Sequence, residues 1–155
     1  MQMIEEYSDD GRILGKGVKL NGVKQGNWKY FFVNGNIKSE VEYKDGIRHG
    51  IYRDWNVDGV LQIETFFQEG KTHGLWKEYY ENGNVREIAR YVDGIYFPKD
   101  FWDTNGVQIL KDGNGYKLEF FLLETIEQHF VNGKFVKEII HTTGSFGKFN
   151  KDNSK

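Results

Sequence analysis

The chain has 155 residues and a mass of 18.2 kDa, the size of one domain, and it combines 19 glycines and 16% aromatic residues with a single proline and a single alanine, Ala89. This composition favours strands and tight turns over helices, and the absence of cysteine excludes disulfides, thiolate metal sites and cysteine nucleophiles. The formal charge is -2, so bulk charge gives no reason to expect nucleic acid or an anionic membrane as a partner.

The first residues, 1–6, lack the basic and apolar regions of a signal peptide. No run in the sequence approaches the roughly 18 apolar residues that a membrane span needs. We therefore expect a cytoplasmic protein without stable membrane insertion.

A repeat of 24 residues organises most of the chain. Glycines and aromatic residues recur in several columns at this interval, as in the series Gly22, Gly46, Gly70 and Gly94 and the series Trp28, Tyr52 and Trp76. Such self-similarity indicates a repeat architecture. We divide one domain, 1–141, into repeats at about 1–22, 23–46, 47–70, 71–94 and 95–113, with a degenerate unit at 114–141.

Two turns per repeat predict two antiparallel strands per repeat. The dipeptides Asp10-Gly11, Asn34-Gly35, Asp58-Gly59, Asn82-Gly83 and Asn105-Gly106 are typical of two-residue type I′ hairpin turns, which need positive φ at both residues. The other turns centre on Asp45-Gly46, Glu69-Gly70 and Asp93-Gly94, and a looser Gly-x-x-His-Gly stretch follows in two of the repeats. The predicted fold class is therefore all-β, a repetitive antiparallel β-meander of hairpins forming a curved sheet with a degenerate C-terminal cap.

The predicted turn at Asn34-Gly35 sets the register of its strands. Phe32 then faces Ile37, Phe31 faces Lys38, Tyr30 faces Ser39, Lys29 faces Glu40, and Trp28 faces Val41. Because side chains alternate between faces, one face is apolar, and we expect it to be buried. Its predicted members are Trp28, Tyr30, Phe32, Ile37, Val41 and Tyr43.

The opposite face is predicted to carry charges of opposite sign in cross-strand register, which favours strand pairing. The predicted pairs are Lys29–Glu40, Arg53–Glu64, Glu5–Lys16 and Asp100–Lys111, whereas Lys77 faces Ile88. An acidic neighbour across the strand weakens the positive potential of each basic residue. Nucleic acid is therefore a disfavoured partner.

An aromatic column is predicted on this same face, three residues before each turn Asn or Asp. Its members are Tyr7, Phe31, Trp55, Tyr79 and Trp102, and Lys38, Gln62 and Arg86 are expected opposite three of them. Two interpretations stay open: a second buried face, or an exposed recognition strip with a charged rim. In the second case the partner-binding residues are this column with Lys29, Arg53, Lys77, Glu40 and Glu64.

Catalytic and metal sites find no support in the pattern. His49 and His73 stand one repeat apart, roughly 10 Å in a sheet, too far for two ligands of one zinc, so we interpret them as loop histidines. Glu40, Glu64 and Glu87 read as a solvated charge ladder. The glycine-rich stretches lack Gly-Lys-Ser/Thr. We expect no enzyme, no metal and no cofactor.

Beyond Gly106 the repeat decays. A turn at 112–115 and strands at about 116–121, 125–131 and 135–140 are predicted, with a short helix within 118–129 as the alternative. Terminal repeats are expected to be atypical. Residues 142–155 are rich in Gly, Ser, Asn and Lys and predict a disordered tail.

The motif Gly-x-x-His-Gly-x-aromatic, then Asn-Gly or Asp-Gly, Glu, an aromatic residue and Gly occupies 46–70 and again 70–94. It resembles the bacterial MORN-repeat variant, and chains built mostly of such repeats look like the YwqK-type family. This resemblance implies a non-enzymatic antitoxin or immunity protein that binds and occludes a toxin domain. A self-assembling scaffold, a homo-oligomer or a peripheral lipid-binding protein are the alternatives that the wider repeat family implies.

Overall fold

The computed structural model describes residues 1–120 and 124–142, which form one antiparallel sheet of 13 strands in sequence order. The strands are β1 Gln2–Tyr7, β2 Ile13–Leu20, β3 Val23–Phe31, β4 Ile37–Lys44, β5 Ile47–Trp55, β6 Leu61–Gln68, β7 Lys71–Tyr79, β8 Val85–Val92, β9 Ile95–Trp102, β10 Gln108–Lys111, β11 Asn114–Phe120, β12 Glu124–Val131 and β13 Lys134–Thr142. The predicted all-β meander is confirmed. β1 and β13 are its two edges, so the sheet does not close.

The C-terminal cap is made of strands. The alternative of a short helix within 118–129 is wrong, because β11 and β12 pair along their length, from Gly115 opposite Phe130 to Phe120 opposite Thr125. The predicted tail lies outside the described residues except for Thr142, which belongs to β13.

Two hairpin geometries alternate along the chain, and the type I′ geometry was predicted for the wrong set of turns. The two-residue turns with positive φ at both positions connect the even-numbered strands to the next odd-numbered ones, as at Asp45 (φ 52°) and Gly46 (φ 78°). The predicted type I′ turn at Asn34-Gly35 is wrong, because only Gly35 has positive φ there. Gly35 N donates to Phe32 O, and Phe32 N donates to Asn36 O, which closes a three-residue loop.

The side chains of the turns explain this exchange. In the longer loops an Asn or Asp carbonyl or carboxylate oxygen accepts backbone N–H groups two or four residues ahead, as Asn56 Oδ1 does from Asp58 and Val60. This arrangement is an Asx turn, and it does not require a left-handed residue before the glycine. Both turn classes therefore contain Asn-Gly or Asp-Gly, and the dipeptide alone does not separate them.

The register away from the turns is as predicted, and next to the turns it is not. Lys29 lies opposite Glu40 and Trp28 opposite Val41. A register shift after Tyr30 then places Phe31 opposite Ile37, so the predicted pairs Phe31–Lys38 and Phe32–Ile37 are wrong. The longer loop and the bulge beside it are the cause.

The same shift recurs in the next hairpins and changes the neighbours of the aromatic column. Leu61 lies opposite Trp55, and Val85 lies opposite Tyr79. The prediction that Lys38, Gln62 and Arg86 lie across from the column is therefore wrong. Arg86 instead forms an ion pair with Glu78 at 2.8 Å and lies over the ring of Phe101, and Lys38 lies over the ring of Phe32.

The pair Asp100–Lys111 does not form either. Asp100 lies opposite Ile88, and its Oδ1 accepts hydrogen bonds from Gln108 Nε2 at 3.1 Å and from the backbone N of Asp112 at 3.0 Å. The carboxylate is used to hold the short strand β10 and its turn.

The Gly-x-x-His-Gly stretch is strand rather than loop, so the interpretation of His49 and His73 as loop histidines is wrong: they belong to β5 and β7. Each stretch contains a bulge whose glycine has positive φ, 99° at Gly50 and 76° at Gly74. In β4 and β5, Val41 pairs with Tyr52 and Tyr43 with Arg48, so Glu42 alone faces three residues.

Side chains satisfy the backbone groups that these bulges leave out of the ladder. Glu42 Oε2 accepts the N–H of Ile51 at 3.0 Å, Trp28 Nε1 donates to Val18 O at 3.0 Å, and Thr65 Oγ1 donates to Leu75 O at 3.1 Å. In three hairpins a side chain thus pairs with a backbone group beside the bulge, one by accepting an N–H and two by donating to a carbonyl.

The core is small and partly polar. Trp28 is fully buried, and a Cβ on Gly17 would overlap its indole ring. A second apolar cluster joins Phe101, Leu110 and Phe130 near the C-terminal cap. The apolar face predicted to be buried is thus buried at Trp28 and Val41 and only half-buried at Tyr30 and Tyr43.

A buried ion pair shows how strongly the sheet curves. Glu87 on β8 and Lys117 on β11 meet at 2.7 Å, with side chains only 3% and 8% exposed, although three strand spacings would separate them by about 14 Å in a flat sheet. Tyr96 OH contacts both partners. The prediction of Glu87 as part of a solvated ladder is wrong, because it lies on the Trp28 face, opposite Phe101.

The bulge glycines give a first prediction. Gly50→Ala should destabilise the fold more than Gly74→Ala, because both have positive φ but only at Gly50 would the new Cβ overlap the Glu42 side chain. Left-handed strain alone is expected to lower the free energy of unfolding by about 1–2 kcal/mol in Gly74→Ala. Urea denaturation of both variants measures the difference, and equal losses would contradict the proposed constraint.

Candidate functional site

A row of alternating charges crosses the middle strands. Strand pairing places Lys29 opposite Glu40, Glu40 opposite Arg53, Arg53 opposite Glu64, and Glu64 opposite Lys77. The structure therefore brings all five charged residues predicted for partner binding onto one surface, which we call the charged face.

The ion pairs within this row are at the surface. Lys29 Nζ lies 2.8 Å from Glu40 Oε1, and Arg53 Nε lies 2.8 Å from Glu64 Oε2, with all four side chains between 18% and 41% exposed. Pairs of this kind contribute about 0–1 kcal/mol to stability. The row contributes little to holding the sheet together, and its side chains are accessible to a partner.

The aromatic column lies on the same face, two residues further along each strand. Phe31, Trp55, Tyr79 and Trp102 are half-buried, and Tyr7 is exposed. Aliphatic neighbours across the strand and the ammonium of Lys16, 5.5 Å from the centre of the Phe31 ring, cover part of this column. Its role in binding a partner stays a prediction.

Tyr79 reports on the electrostatics of this surface. Burial raises the pKa of its phenol, the Glu64 carboxylate raises that pKa further, and the Arg53 guanidinium opposes the rise. The phenol therefore lies close to the Arg53–Glu64 pair, which joins the charged row to the aromatic column.

An exposed apolar strip completes the charged face, and the sequence interpretation missed it. Ile51 lies opposite Phe66, and Leu75 lies opposite Arg90, which in turn lies opposite Phe97. The exposed fractions are 44% for Ile51, 38% for Phe66, 56% for Leu75 and 39% for Phe97. We call these four residues the apolar strip.

The sequence contains the apolar residues of the strip, but the repeat around Asn34-Gly35, from which the two faces were assigned, does not. Ile51 and Leu75 follow His-Gly in their repeats, whereas the equivalent residue of the preceding repeat is the polar Asn27. Phe66 likewise has Glu42 as its equivalent one repeat earlier. The faces assigned on one repeat therefore did not include this apolar row, which lies on β5 to β9.

Three residues of the strip and three of the charged row line one depression of about 270 Å³. Ile51, Phe66 and Leu75 line one side, and Arg53 and Lys77 line the other. Along β5, this surface runs from the apolar Ile51 through the charged Arg53 to the aromatic Trp55.

Other chemistry has little support on the described surface. Across residues 1–120 and 124–142, no three or more His, Asp or Glu side chains are arranged to hold a metal ion. Over the same ranges, no helix is long and apolar enough to cross a membrane.

Two segments of the chain, 24–45 and 72–93, match the family described as MORN repeat variant. These segments correspond to the hairpins β3–β4 and β7–β8, so the predicted MORN-type repeat is confirmed for both. No curated protein matches the chain. MORN repeats are generally protein- or lipid-binding modules, and the YwqK-type relationship and bacterial origin stay predictions.

The charged face gives a pH prediction. Because the pKa of Tyr79 is raised in the folded protein, the neutral phenol stabilises the fold below pH about 10, and this stabilisation is lost as the pH rises through the folded pKa. Glu64→Gln should lower the pKa of Tyr79, and Arg53→Gln should raise it. Tyrosine ¹³Cζ NMR titration, assigned with Tyr79→Phe, measures both shifts. An unchanged Tyr79 titration in Glu64→Gln would refute the contact.

Proposed function

We propose that this chain is a non-enzymatic protein-binding module that uses the charged face to cover the surface of a partner protein. The observation that carries the proposal is the exposed apolar strip beside the alternating charged row. Exposed apolar residues in a contiguous patch with a polar rim are typical of interaction sites. Arg53 at the centre of the patch is a residue type enriched among binding hot spots.

The charge pattern favours a protein over nucleic acid or lipid. Nucleic acid binding depends on a sustained positive potential, and the carboxylates of Glu40 and Glu64 interrupt it at every second position. A bilayer would bury the Arg53–Glu64 pair without new partners, whereas a protein can supply complementary hydrogen bonds to it.

The partner we propose is a toxin domain, and the role is that of an antitoxin or immunity protein in the bacterial cytoplasm. The resemblance to the YwqK-type family supports this role, and the breadth of the charged face supports the mechanism. Binding would occlude the toxin surface sterically, so no catalytic group of this chain takes part.

A second candidate function is self-assembly through the edge strand β13. Every residue of β13 is exposed, and Phe135, Val136 and Ile140 are each more than half exposed. Within the described residues, only β12 pairs with β13. An edge strand of this length and apolarity is a template for pairing with another chain.

A site-specific cross-linking experiment tests the first function. A photo-reactive amino acid replaces Leu75 in one variant and Val107, which is 55% exposed in the loop between β9 and β10, in the matched control. We expect a discrete cross-linked protein from source cells at position 75 only. Capture of that protein by the purified chain should fall at least tenfold in Leu75→Asp, because the new carboxylate would be buried in the interface without a partner. Equal cross-linking at both positions, or unchanged capture by Leu75→Asp, would refute the assignment of this face.

Sedimentation velocity tests the second function. If β13 pairs between copies, the sedimentation coefficient should rise with protein concentration, and Ile140→Lys should lower this dependence because an edge lysine opposes pairing. Ile95→Lys serves as the control and should behave as the wild type. A monomer at all concentrations would exclude self-assembly through the edge without affecting the charged face.

A further inference from the structure

A depression of about 390 Å³ lies at the β1 end of the sheet, away from the apolar strip. Ile13, Phe31, Phe32 and Val33 provide its apolar surface, and Arg12 and Lys16 provide two cations. Its volume lies in the range of about 300–1,000 Å³ that small-molecule sites occupy.

The apolar surface of this depression is partly accessible. Val33 is 72% exposed and Ile13 is 37% exposed, whereas Phe31 is half-buried opposite Ile37. A half-buried aromatic floor beside exposed aliphatic side chains suits a flat apolar group that packs against the Phe31 and Phe32 rings.

The alternation of charge along the row is broken between β2 and β3. Lys16 lies directly opposite Lys29, whereas the neighbours along the row from Lys29 to Lys77 alternate in sign. Directly opposed like charges disfavour strand pairing. An anion bound beside Lys16 would relieve this repulsion.

The carboxylates near Lys16 and Arg12 make other contacts or only a loose ion pair. Glu5, opposite Lys16, accepts a hydrogen bond from Tyr7 OH at 2.5 Å, and Lys29 is the partner of Glu40. Among the described residues, no carboxylate forms an ion pair with Lys16. Arg12 contacts Asp10 at 3.3 Å, with both side chains 55% exposed, so this pair is weak.

The two cations are a property of the first hairpin and not of the repeat. One repeat later, Asn36 and Glu40 occupy the positions of Arg12 and Lys16, and two repeats later Val60 and Glu64 occupy them. The turn geometry recurs in these hairpins, but the pair of cations does not.

We propose that this depression binds a small aromatic carboxylate, which is a function beyond the binding of a partner protein. The ring of the ligand packs on Phe31 and Phe32, and its carboxylate accepts charge-assisted hydrogen bonds from Lys16 Nζ and the Arg12 guanidinium. The carboxylate thereby supplies the negative charge that the row lacks between Lys16 and Lys29.

The test is a ¹H–¹⁵N NMR titration of the full chain with phenylacetate. We expect saturable shifts of amides in 12–16 and 31–35, with phenylacetamide and acetate binding at least tenfold more weakly because each lacks one of the two recognised groups. Lys16→Gln should raise the Kd about tenfold, the loss of one charge-assisted hydrogen bond. Lys44→Gln, which changes an exposed lysine at the other end of β4, should leave the Kd unchanged.

Three outcomes would overturn the proposal. Equal shifts with acetate and phenylacetate would show a simple anion site, and equal shifts with phenylacetamide would show apolar adsorption. Unchanged Kd in Lys16→Gln, with a dispersed spectrum that confirms folding, would exclude the assigned cation.

Discussion

The left-handed backbone at the short turns and bulges is the constraint on which the rest of this sheet depends. Each two-residue turn places one non-glycine residue, such as Glu69 at φ 51°, directly before a glycine with positive φ. The bulges at Gly26, Gly50 and Gly74 add further left-handed glycines, and a Cβ on Gly50, at φ 99°, would overlap the Glu42 side chain. These positions determine how far each strand shifts against the next, and therefore which residues share a face.

Curvature follows from the bulges and decides where charge is buried. The Glu87–Lys117 pair exists because the sheet brings β8 and β11 together on the Trp28 face. Breaking a buried pair of this kind on one side is expected to be costly, since the remaining charge would have no partner. By contrast, the Lys29–Glu40 and Arg53–Glu64 pairs lie at the surface and contribute little to stability.

This difference between the two faces supports a division of roles. The Trp28 face holds the fold together through a small core and a buried polar cluster around Tyr96. The charged face combines exposed Leu75, half-buried Tyr79 and the charged row between them, a composition suited to recognition. The depression beside Lys16 lies at one end of the same face, where the charge alternation fails.

The sequence by itself determined the repeat length, the antiparallel meander, and the register in the middle of the strands, because the 24-residue period and the opposed charges of Lys29–Glu40 and Arg53–Glu64 are local and repeated. It also placed the five charged residues in one row. Only the tertiary structure decided which turns are type I′, that Phe31 faces Ile37, and that Glu87 is buried. The reason is that Asn-Gly fits both turn geometries, and that a single bulge changes the cross-strand partner of every residue beyond it. The apolar strip and the Lys16 depression likewise depend on curvature and on departures from the repeat, which no single repeat reveals.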